Sequence, residues 1–313
     1  GWHPEDIGKS DGGPALIVGG GPAGLEAARA LGERGVQVTL AEAGEELGGR
    51  INAEARLPGL QTWGRVRDWR IGQLHKLANV ALYPASTMTA DDVMSFGAEH
   101  IAIATGSKWR TDGVGTRHDA PVAGITDAAV LGVDDLLAGR LPEAGPVVIY
   151  DTDAYYLGGV LAELCTQAGL EIVIVTPDPV ISRWTQHNLE QARIQTRLLE
   201  LGVVLVTGHK LARAGSDHLE AACVYSGKVR NIACATLVPV TSRSPDDALW
   251  RELKQRQDEW SDAGIRSVNL IGDAFAPGII AAAVYAGHQY ARDYALDVDP
   301  DVTPFKRELT ELV

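Results

Sequence analysis

Short apolar runs recur along the chain and alternate with longer segments of helical periodicity. Continuous apolar runs predict buried strands, because strands that are covered on both faces show no polar alternation. Such strands are predicted at residues 15–19, 36–42, 101–105, 147–151, 171–175, 203–207, 235–240 and 268–272. Helices are predicted at residues 22–34, 154–168, 185–201 and 276–295. This alternation predicts an α/β fold with parallel sheets and helices on both faces.

The strand–turn–helix pattern starts again after the loop at residues 139–146. The duplication predicts two nested Rossmann-like dinucleotide-binding domains, as in pyridine-nucleotide-disulfide oxidoreductases. The first domain is predicted to comprise residues 14–120 and 245–313. The second, of the NAD type, is inserted at residues 121–244, and residues 1–13 are predicted to form a linker.

Composition and charge argue against several classes of protein. The net charge of −13 disfavours nucleic acid as a partner, because an acidic chain repels phosphate backbones. No apolar run is long enough to cross a membrane, so no membrane association is expected. The scattered histidines lack metal-ligand spacing, and no metal site is predicted.

Three cysteines are present, and they form no CxxC pair. This arrangement argues against an active-site dithiol and against a four-cysteine iron–sulfur or zinc site within the chain. Three scattered thiols without a disulfide framework are typical of a reducing compartment. We therefore expect a cytoplasmic protein.

The segment ALIVGGGPAG at residues 15–24 places three glycines at GxGxxG spacing between a predicted strand and a predicted helix. Gly19 permits the tight turn, Gly21 lets the backbone approach a pyrophosphate, and Gly24 allows close packing of the helix. The helix N-terminus supplies free N–H groups to the anion. Glu42 ends the second strand, where a carboxylate accepts hydrogen bonds from the adenosine ribose. The sequence therefore predicts an adenine dinucleotide site.

Three further segments match the flavin-binding version of this domain: residues 48–50, residues 104–106, and the Gly272-Asp273 pair before the last predicted helix. In flavoproteins an aspartate at this last place lies beside the ribityl chain and the pyrophosphate. The alternative role for Asp273 is a helix N-cap. No catalytic residue is predicted. The predicted cofactor-binding residues are Gly19, Gly21, Pro22, Ala23, Gly24, Glu42, Ala43, Gly49, Arg50, Thr105, Gly106, Gly272 and Asp273.

The inserted domain begins with VVIYDTDAYYLGG, in which the glycines of a second nucleotide motif are replaced. Asp151 and Asp153 stand where the first two glycines belong, and Tyr156 stands at the third. Each carboxylate would lie near a pyrophosphate, and one such pair costs about 4 kcal/mol at roughly 4 Å and an effective dielectric near 20. We expect no nicotinamide nucleotide here. The alternative is a displaced turn in which Gly158 and Gly159 carry the phosphate.

Several segments together resemble the C-terminal half of the trimethylamine and histamine dehydrogenases, iron–sulfur flavoproteins related to old yellow enzyme. They are GWHPE, GGGPAGLEAARAL, LPGLQTWGRVRDWR, MTADDVMSFGAEHIAIATGSKWRTDG, DTDAYYLGGVLAEL and VNLIGDAFAPGIIAAAVYAGHQYARD. The similarity covers essentially the whole chain. The degenerate second motif favours this branch over the dienoyl-CoA reductase branch, which keeps FAD and a working nicotinamide site.

The resemblance implies that a separate N-terminal β/α barrel, with FMN and a 4Fe–4S cluster, oxidises an amine and passes electrons to an electron-transferring flavoprotein. It implies ADP rather than FAD in the half present here, while FAD remains the expectation if the site is deep enough for the isoalloxazine. The segment that matches Trp63–Arg70 lies near the acceptor surface in the family. We therefore expect the nucleotide-binding part of a homo-oligomeric amine dehydrogenase that acts by oxidative deamination or demethylation. This chain alone is not expected to hold the substrate site.

Two other functions stay open at this point. The first is an FAD-dependent NAD(P)H oxidoreductase of the dienoyl-CoA reductase type, against which Asp151 and Asp153 argue. The second is a non-catalytic module in which bound nucleotide only stabilises an assembly.

Overall fold

A computed structural model describes residues 8–295, so that residues 1–7 of the predicted linker and residues 296–313 of the predicted first domain lie outside the described residues. The strands are β1 Ala15–Val18, β2 Val38–Ala41, β3 Val80–Tyr83, β4 His100–Ile103, β5 Ser107–Trp109, β6 Val147–Asp151, β7 Ile172–Val175, β8 Val204–Val206, β9 His209–Ala214, β10 His218–Cys223, β11 Val229–Ala233, β12 Thr236–Val240, β13 Arg243–Pro245 and β14 Ser267–Leu270.

The α-helices are α1 Pro22–Glu33, α2 Ile51–Glu54, α3 Gly64–Leu74, α4 Ala90–Ser95, α5 Val133–Leu137, α6 Leu157–Gln167, α7 Gln191–Glu200, α8 Ala248–Gln255 and α9 Ile280–Arg292. Short 3-10 turns lie at Gln61–Trp63, Ile125–Asp127, Arg183–Asn188, Gln257–Glu259 and Gly272–Ala274. Every strand predicted from the apolar runs is present, and the α/β fold class is confirmed. No helix within residues 8–295 has the length and apolar composition needed to cross a bilayer.

The described chain divides into two compact units, each built from separate segments. The first unit contains residues 8–47, 69–105 and 247–295, and the second contains residues 48–68 and 106–246. The predicted first domain also includes residues 48–68, 106–120 and 245–246. Their place in the second unit has a physical reason, because Leu57, Leu60 and Trp109 belong to the same hydrophobic core as the β6 side chains.

The first unit is built on a five-stranded sheet in the order β3-β2-β1-β4-β14, with all neighbours parallel. This is the strand order of a dinucleotide-binding half. Strands β2 and β3 are added on one side of β1, and β4 and β14 on the other, so the order of addition switches between β1 and β4. Ligands of such sheets bind at the carboxyl ends of the strands where the order reverses. The topology therefore points to the loops that follow β1 and β4.

Helix α1 follows β1 and lies in direct backbone contact with α9. A Cβ at Gly287 on α9 would lie 2.1 Å from the Ala23 carbonyl oxygen, and a Cβ at Gly272 would lie 2.6 Å from the Ala23 Cβ. Only glycine permits this approach at either place. The last helix is thereby packed against the start of the first.

A buried carboxylate also joins three helices of the first unit. Glu26 on α1 is 3% exposed and accepts hydrogen bonds from Arg29, from Arg70 on α3 and from His288 on α9. Burial alone would raise the pKa of Glu26, but the Arg29 hydrogen bond and charge, together with His288 and Arg70, hold it below its ordinary value. The buried charge is therefore fully paired.

The second unit contains a four-stranded parallel sheet in the order β12-β6-β7-β8. A three-stranded antiparallel sheet, β11-β10-β9, and the two-stranded pair β13-β5 complete it. Leu161 on α6 and Leu198 on α7 are buried in one hydrophobic core with Ile149 and Ile174 of the parallel sheet. The unit therefore keeps the β6–α6 strand–turn–helix of a second nucleotide fold.

Candidate nucleotide site

The β1–α1 turn of the first unit has a shape that glycine alone allows at two of its positions. Gly19 has a φ of +111°, and a Cβ there would lie 2.3 Å from the Ala104 carbonyl oxygen at the end of β4. A Cβ at Gly24 would lie 1.9 Å from the Gly19 carbonyl oxygen. These glycines bring the loops after β1 and β4 together, as the topology requires.

Gly21 differs from these two positions, because a Cβ there would meet no atom within 4 Å. It is the N-cap of α1, Pro22 occupies the first helical position, and no described side chain caps the helix. The N–H groups of a first helical turn have no partner within the helix. The turn therefore presents a helix N-terminus to open space, which suits an anion such as a pyrophosphate.

Glu42 at the end of β2 lies beside this turn. One carboxylate oxygen accepts the Gly20 N–H at 2.6 Å, and the other accepts the Gly44 N–H at 2.7 Å. A carboxylate oxygen offers about two acceptor positions, so each retains capacity for a second donor. Ala43, the next residue, is exposed. Glu42 is thus held where ribose hydroxyls could donate to it.

The loop after β14 completes this part of the first unit. Gly272 has a φ of +60° and packs on Ala23 of α1. The Asp273 carboxylate accepts the Gly278 N–H at 3.0 Å, in the turn that leads into α9. The residue at the N-cap of α9 is Ile279, so Asp273 stabilises the preceding turn rather than capping the helix itself. Thr105, at the end of β4, is half-buried.

Three of the predicted cofactor-binding residues, Gly49, Arg50 and Gly106, fall in the second unit. The Arg50 guanidinium forms an ion pair with Glu54 at 2.7 Å and a longer hydrogen bond to Ser107 at 3.4 Å. The other predicted residues lie in the first unit, around the turns that follow β1, β2, β4 and β14.

The β6–α6 turn of the second unit is filled from within. Asp151 ends β6 and is 1% exposed, and its carboxylate accepts the Ala154 N–H at 2.9 Å. A Cβ at Gly158 would lie 2.3 Å from the other carboxylate oxygen of Asp151. Burial raises the pKa of Asp151 to about 7, and the charge of Asp153 adds to the shift. A carboxyl group thus occupies the interior of this turn.

The displaced-turn alternative is not supported by this geometry. Gly158 and Gly159 are buried within α6, and a Cβ at Gly159 would lie 3.3 Å from Ile194 on α7. The Asp151 carboxyl group occupies the space at Gly158 and Ile194 adjoins Gly159, so neither position is open in the way that Gly21 is. Burial also raises the pKa of Asp153, although the charges of Arg243 and Arg50 oppose that rise.

Comparison with known proteins agrees with these features. The family model described as pyridine nucleotide-disulphide oxidoreductase matches residues 14–289. The chain belongs to this family. Membership supports a flavin or nucleotide cofactor, and it agrees with the parallel dinucleotide-binding sheet of the first unit.

Individual relatives of this family member include amine dehydrogenases. Histamine dehydrogenase from Rhizobium sp. 4-9 is 47% identical, with a TM-score of 0.96 over 100% of this chain and 48% of that chain. The 6-hydroxypseudooxynicotine amine oxidase from Pseudomonas geniculata N1 is 40% identical, with a TM-score of 0.90 over 94% of this chain and 44% of that chain. Dimethylamine dehydrogenase from Hyphomicrobium sp. (strain x) is 38% identical over 98% of this chain and 45% of its own length. The resemblance predicted from the sequence is confirmed, and the chain spans about half the length of these relatives.

A groove of about 710 Å³ in the second unit of this family member was not predicted from the sequence. Trp63 and Tyr156 meet there edge to face, with ring centroids 5.5 Å apart. The Tyr156 hydroxyl donates to Glu190 and accepts from the Asn188 amide at 2.7 Å. The groove joins segments that are distant in the chain, so no local motif could have revealed it.

Proposed function

We propose that this chain is the nucleotide-binding part of an amine dehydrogenase-like iron–sulfur flavoprotein, and that its first unit binds ADP or FAD. The open space at Gly21, in front of the uncapped N-terminus of α1, carries this proposal. A helix end of this kind attracts a pyrophosphate through its free N–H groups and its dipole. Glu42 beside the turn supplies the second recognition element.

Each part of the turn has a separate role in the proposal. The N–H groups of Ala23 and Gly24 would donate to the pyrophosphate, while Glu42 would accept from the ribose hydroxyls. The same carboxylate would repel a 2′-phosphate, which favours ADP or FAD over 2′-phosphorylated nucleotides. Asp273 and Thr105 would border the site. Gly49, Arg50 and Gly106 remain cofactor-binding residues predicted from the sequence.

Amine oxidation is assigned to a different part of the assembly. We propose that an N-terminal barrel with FMN and a 4Fe–4S cluster performs the oxidative deamination or demethylation, and that electrons leave to an electron-transferring flavoprotein. The relatives support this division, because this chain matches less than half of each one. No catalytic step is assigned to a side chain of this chain.

The surface proposed for the electron acceptor includes Trp69. This residue is 52% exposed in the first unit, and the guanidinium groups of Arg29 and Arg70 lie 5.3 and 5.5 Å from the centroid of its ring. Trp69→Ala should slow reduction of the acceptor protein in the assembled enzyme without changing its nucleotide content. Trp184→Ala, which removes a tryptophan of similar exposure from the second unit, is the matched control.

The first test is to purify the chain, record its visible absorption spectrum, release the nucleotide by heat and identify it by mass. ADP without colour supports a nucleotide domain that serves an amine dehydrogenase. Flavin bands together with released FAD support a site that is deep enough to hold FAD with its flavin ring. A protein that retains neither nucleotide, and binds neither when they are added, would overturn the proposal.

The same preparation tests the reductase alternative. Asp151 and Asp153 argue against nicotinamide binding, because the carboxyl group of Asp151 fills the β6–α6 turn. Bleaching of a yellow preparation by NADH would show that the second unit still receives a nicotinamide nucleotide. Bleaching would therefore overturn the proposed function and favour an FAD-dependent NAD(P)H oxidoreductase.

A further inference from the structure

The segment from residue 274 to residue 287 contains no charged side chain, although 22% of the whole chain is charged. It includes the turn after Asp273 and the first two turns of α9. Phe275 is 71% exposed, Ile279 is 51% exposed and Tyr285 is 63% exposed. Three large apolar side chains thus stand in solvent within one short, uncharged stretch.

Helical geometry places several of these residues on one side of α9. Ala281, Ala282 and Tyr285 are all exposed, and their separations of one to four residues put them within about 100° of each other around the axis. The opposite side, which includes Ala283 and Gly287, is buried. We call the exposed set of Phe275, Ile279, Ala281, Ala282 and Tyr285 the α9 face.

An apolar face of this kind on a helix is typical of a surface that another protein covers. Large contiguous apolar patches on soluble proteins mark interaction sites, and the centres of stable interfaces are depleted in charge and enriched in aromatic side chains. The α9 face has both properties. A nucleotide phosphate or a strongly charged partner would find no complementary charge on it.

We propose that the α9 face is the docking surface for the folded half that the related dehydrogenases carry in addition to the part matched here. This inference rests on the proposed function. The relatives supply the occupant, because this chain matches 45% of dimethylamine dehydrogenase and 48% of histamine dehydrogenase. A body as large as this chain is therefore available to cover the face, on the same polypeptide or on another subunit.

The position of the face agrees with this occupant. Phe275 follows Asp273 by two residues, and Gly272 packs on Ala23 at the start of α1. A domain docked on the α9 face would therefore lie close to the candidate nucleotide site of the first unit. Bound nucleotide would then touch the short segment at residues 272–279 through Gly272 and Asp273, and the docked domain would touch it at Phe275 and Ile279.

The test is hydroxyl-radical footprinting of the chain alone and of the assembled enzyme that contains both halves. Tyr225, which is 82% exposed in the second unit, is the internal reference for oxidation. We expect Phe275 and Tyr285 to be oxidised as readily as Tyr225 in the chain alone, and to be protected several-fold in the assembly. Oxidation of both residues in the assembly at the rate of Tyr225 would overturn the proposal.

The same experiment separates other occupants. Protection in the chain alone at low concentration would mean that the chain covers its own face, and protection that increases with concentration would mean a second copy. Protection on addition of ADP or FAD would mean a nucleotide contact. Each of these outcomes overturns the inference, while the identity of the released nucleotide still tests the proposed function.

A pair of substitutions provides an independent measurement. Ile279→Lys with Tyr285→Lys places two charges on the α9 face, and we expect association of the two halves to weaken about thirtyfold or more, as at an interface hot spot. Tyr225→Lys is the matched control and should leave association unchanged. Equal association of the double variant and the control, with both folded by circular dichroism, would contradict the proposal.

Discussion

Two strand–turn–helix elements of this chain, β1–α1 and β6–α6, differ in what occupies the turn. In the first, a Cβ at Gly21 would meet no atom within 4 Å. In the second, the Asp151 carboxylate lies inside the turn and accepts the Ala154 N–H, and Gly158 leaves just enough space for it. One turn is open to an external anion, and the other holds an internal acid.

The comparison shows how the same local fold can serve two purposes. The β1–α1 turn leaves its N–H groups free, which suits a ligand with negative charge. The β6–α6 turn uses a side chain of the protein to accept a backbone N–H of the loop. The second unit therefore keeps the packing of a nucleotide fold and needs no nucleotide to complete its turn.

The largest expected effect tests why the first turn requires glycine. Gly24→Ala would place a Cβ 1.9 Å from the Gly19 carbonyl oxygen, a backbone atom that the packing of the turn holds in place. We expect the free energy of unfolding to fall by about 4 kcal/mol or more, measured by denaturant titration. Gly21→Ala, whose Cβ would enter open space, should change it by less than about 1 kcal/mol. Similar losses in the two variants would contradict this account.

The next effect concerns binding rather than folding. Gly21→Asp would bring a carboxylate to the open side of the β1–α1 turn, where the extended backbone of Gly21 accepts a side chain. Charge repulsion of about 4 kcal/mol predicts roughly a thousandfold weaker binding of ADP, with an unchanged melting temperature of the nucleotide-free protein. Calorimetric titration measures the affinity for ADP. Gly21→Ala adds a side chain without a charge, so it separates the effect of side-chain size from that of the charge. Full nucleotide retention by Gly21→Asp would mean that the pyrophosphate lies elsewhere.

The buried Asp151 of the β6–α6 turn should make the free energy of unfolding depend on pH. Burial, and then the charge of Asp153, raises the pKa of Asp151 to about 7 in the folded protein. The folded state therefore keeps this proton to higher pH than the unfolded state, so the unfolding free energy falls as pH rises from about 4 to about 7. Asp151→Asn cannot ionise, and its Oδ1 can still accept the Ala154 N–H.

We expect Asp151→Asn to remove this part of the pH dependence. Above pH 7 the variant should be more stable than the natural protein, by an amount of up to about 4 kcal/mol, and the difference should vanish near pH 4. Urea titrations at a series of pH values measure it. A constant difference across the pH range would show that Asp151 does not titrate in this window.

The smallest expected effect concerns selectivity at Glu42. Glu42→Gln removes the charge beside the turn and replaces one of the two oxygens that accept from Gly20 and Gly44. ADP binding should weaken about tenfold, the value of one hydrogen bond to a charged acceptor, and discrimination against a 2′-phosphate should decrease. Glu45→Gln, at an exposed position nearby, is the control. Unchanged selectivity in Glu42→Gln would exclude the ribose role.

The central strands of both sheets could be predicted because their residues are buried on both faces. Residues 15–18 and 100–103 are entirely buried, and such runs show an unbroken apolar pattern. The β1–α1 motif could also be predicted, since close contacts within the turn require glycine at positions 19 and 24. Asp151 and Asp153 were recognisable as replacements, and the structure shows where the carboxyl group of Asp151 lies.

Elements without a continuous apolar pattern were not predicted. Strand β3, Val80–Tyr83, is only partly buried, and β9–β11 are antiparallel strands with mixed polar faces. Helix α3 lacks an apolar stripe, and one of its contacts with α1 is the ion pair of Arg70 with the buried Glu26. The place of residues 48–68 in the second unit was not predicted either, since the packing of Leu57 and Leu60 with β6 is a contact between distant parts of the chain.

Gly287 has a consequence for motion. Because no side chain separates α9 from the Ala23 carbonyl of α1, neither helix can slide along the other without a backbone collision. A nucleotide that restrains the N-terminal end of α1 should therefore also reduce the amplitude of the thermal fluctuations of α9. Amide hydrogen exchange along α9 should slow when ADP is bound, even at residues that never touch it.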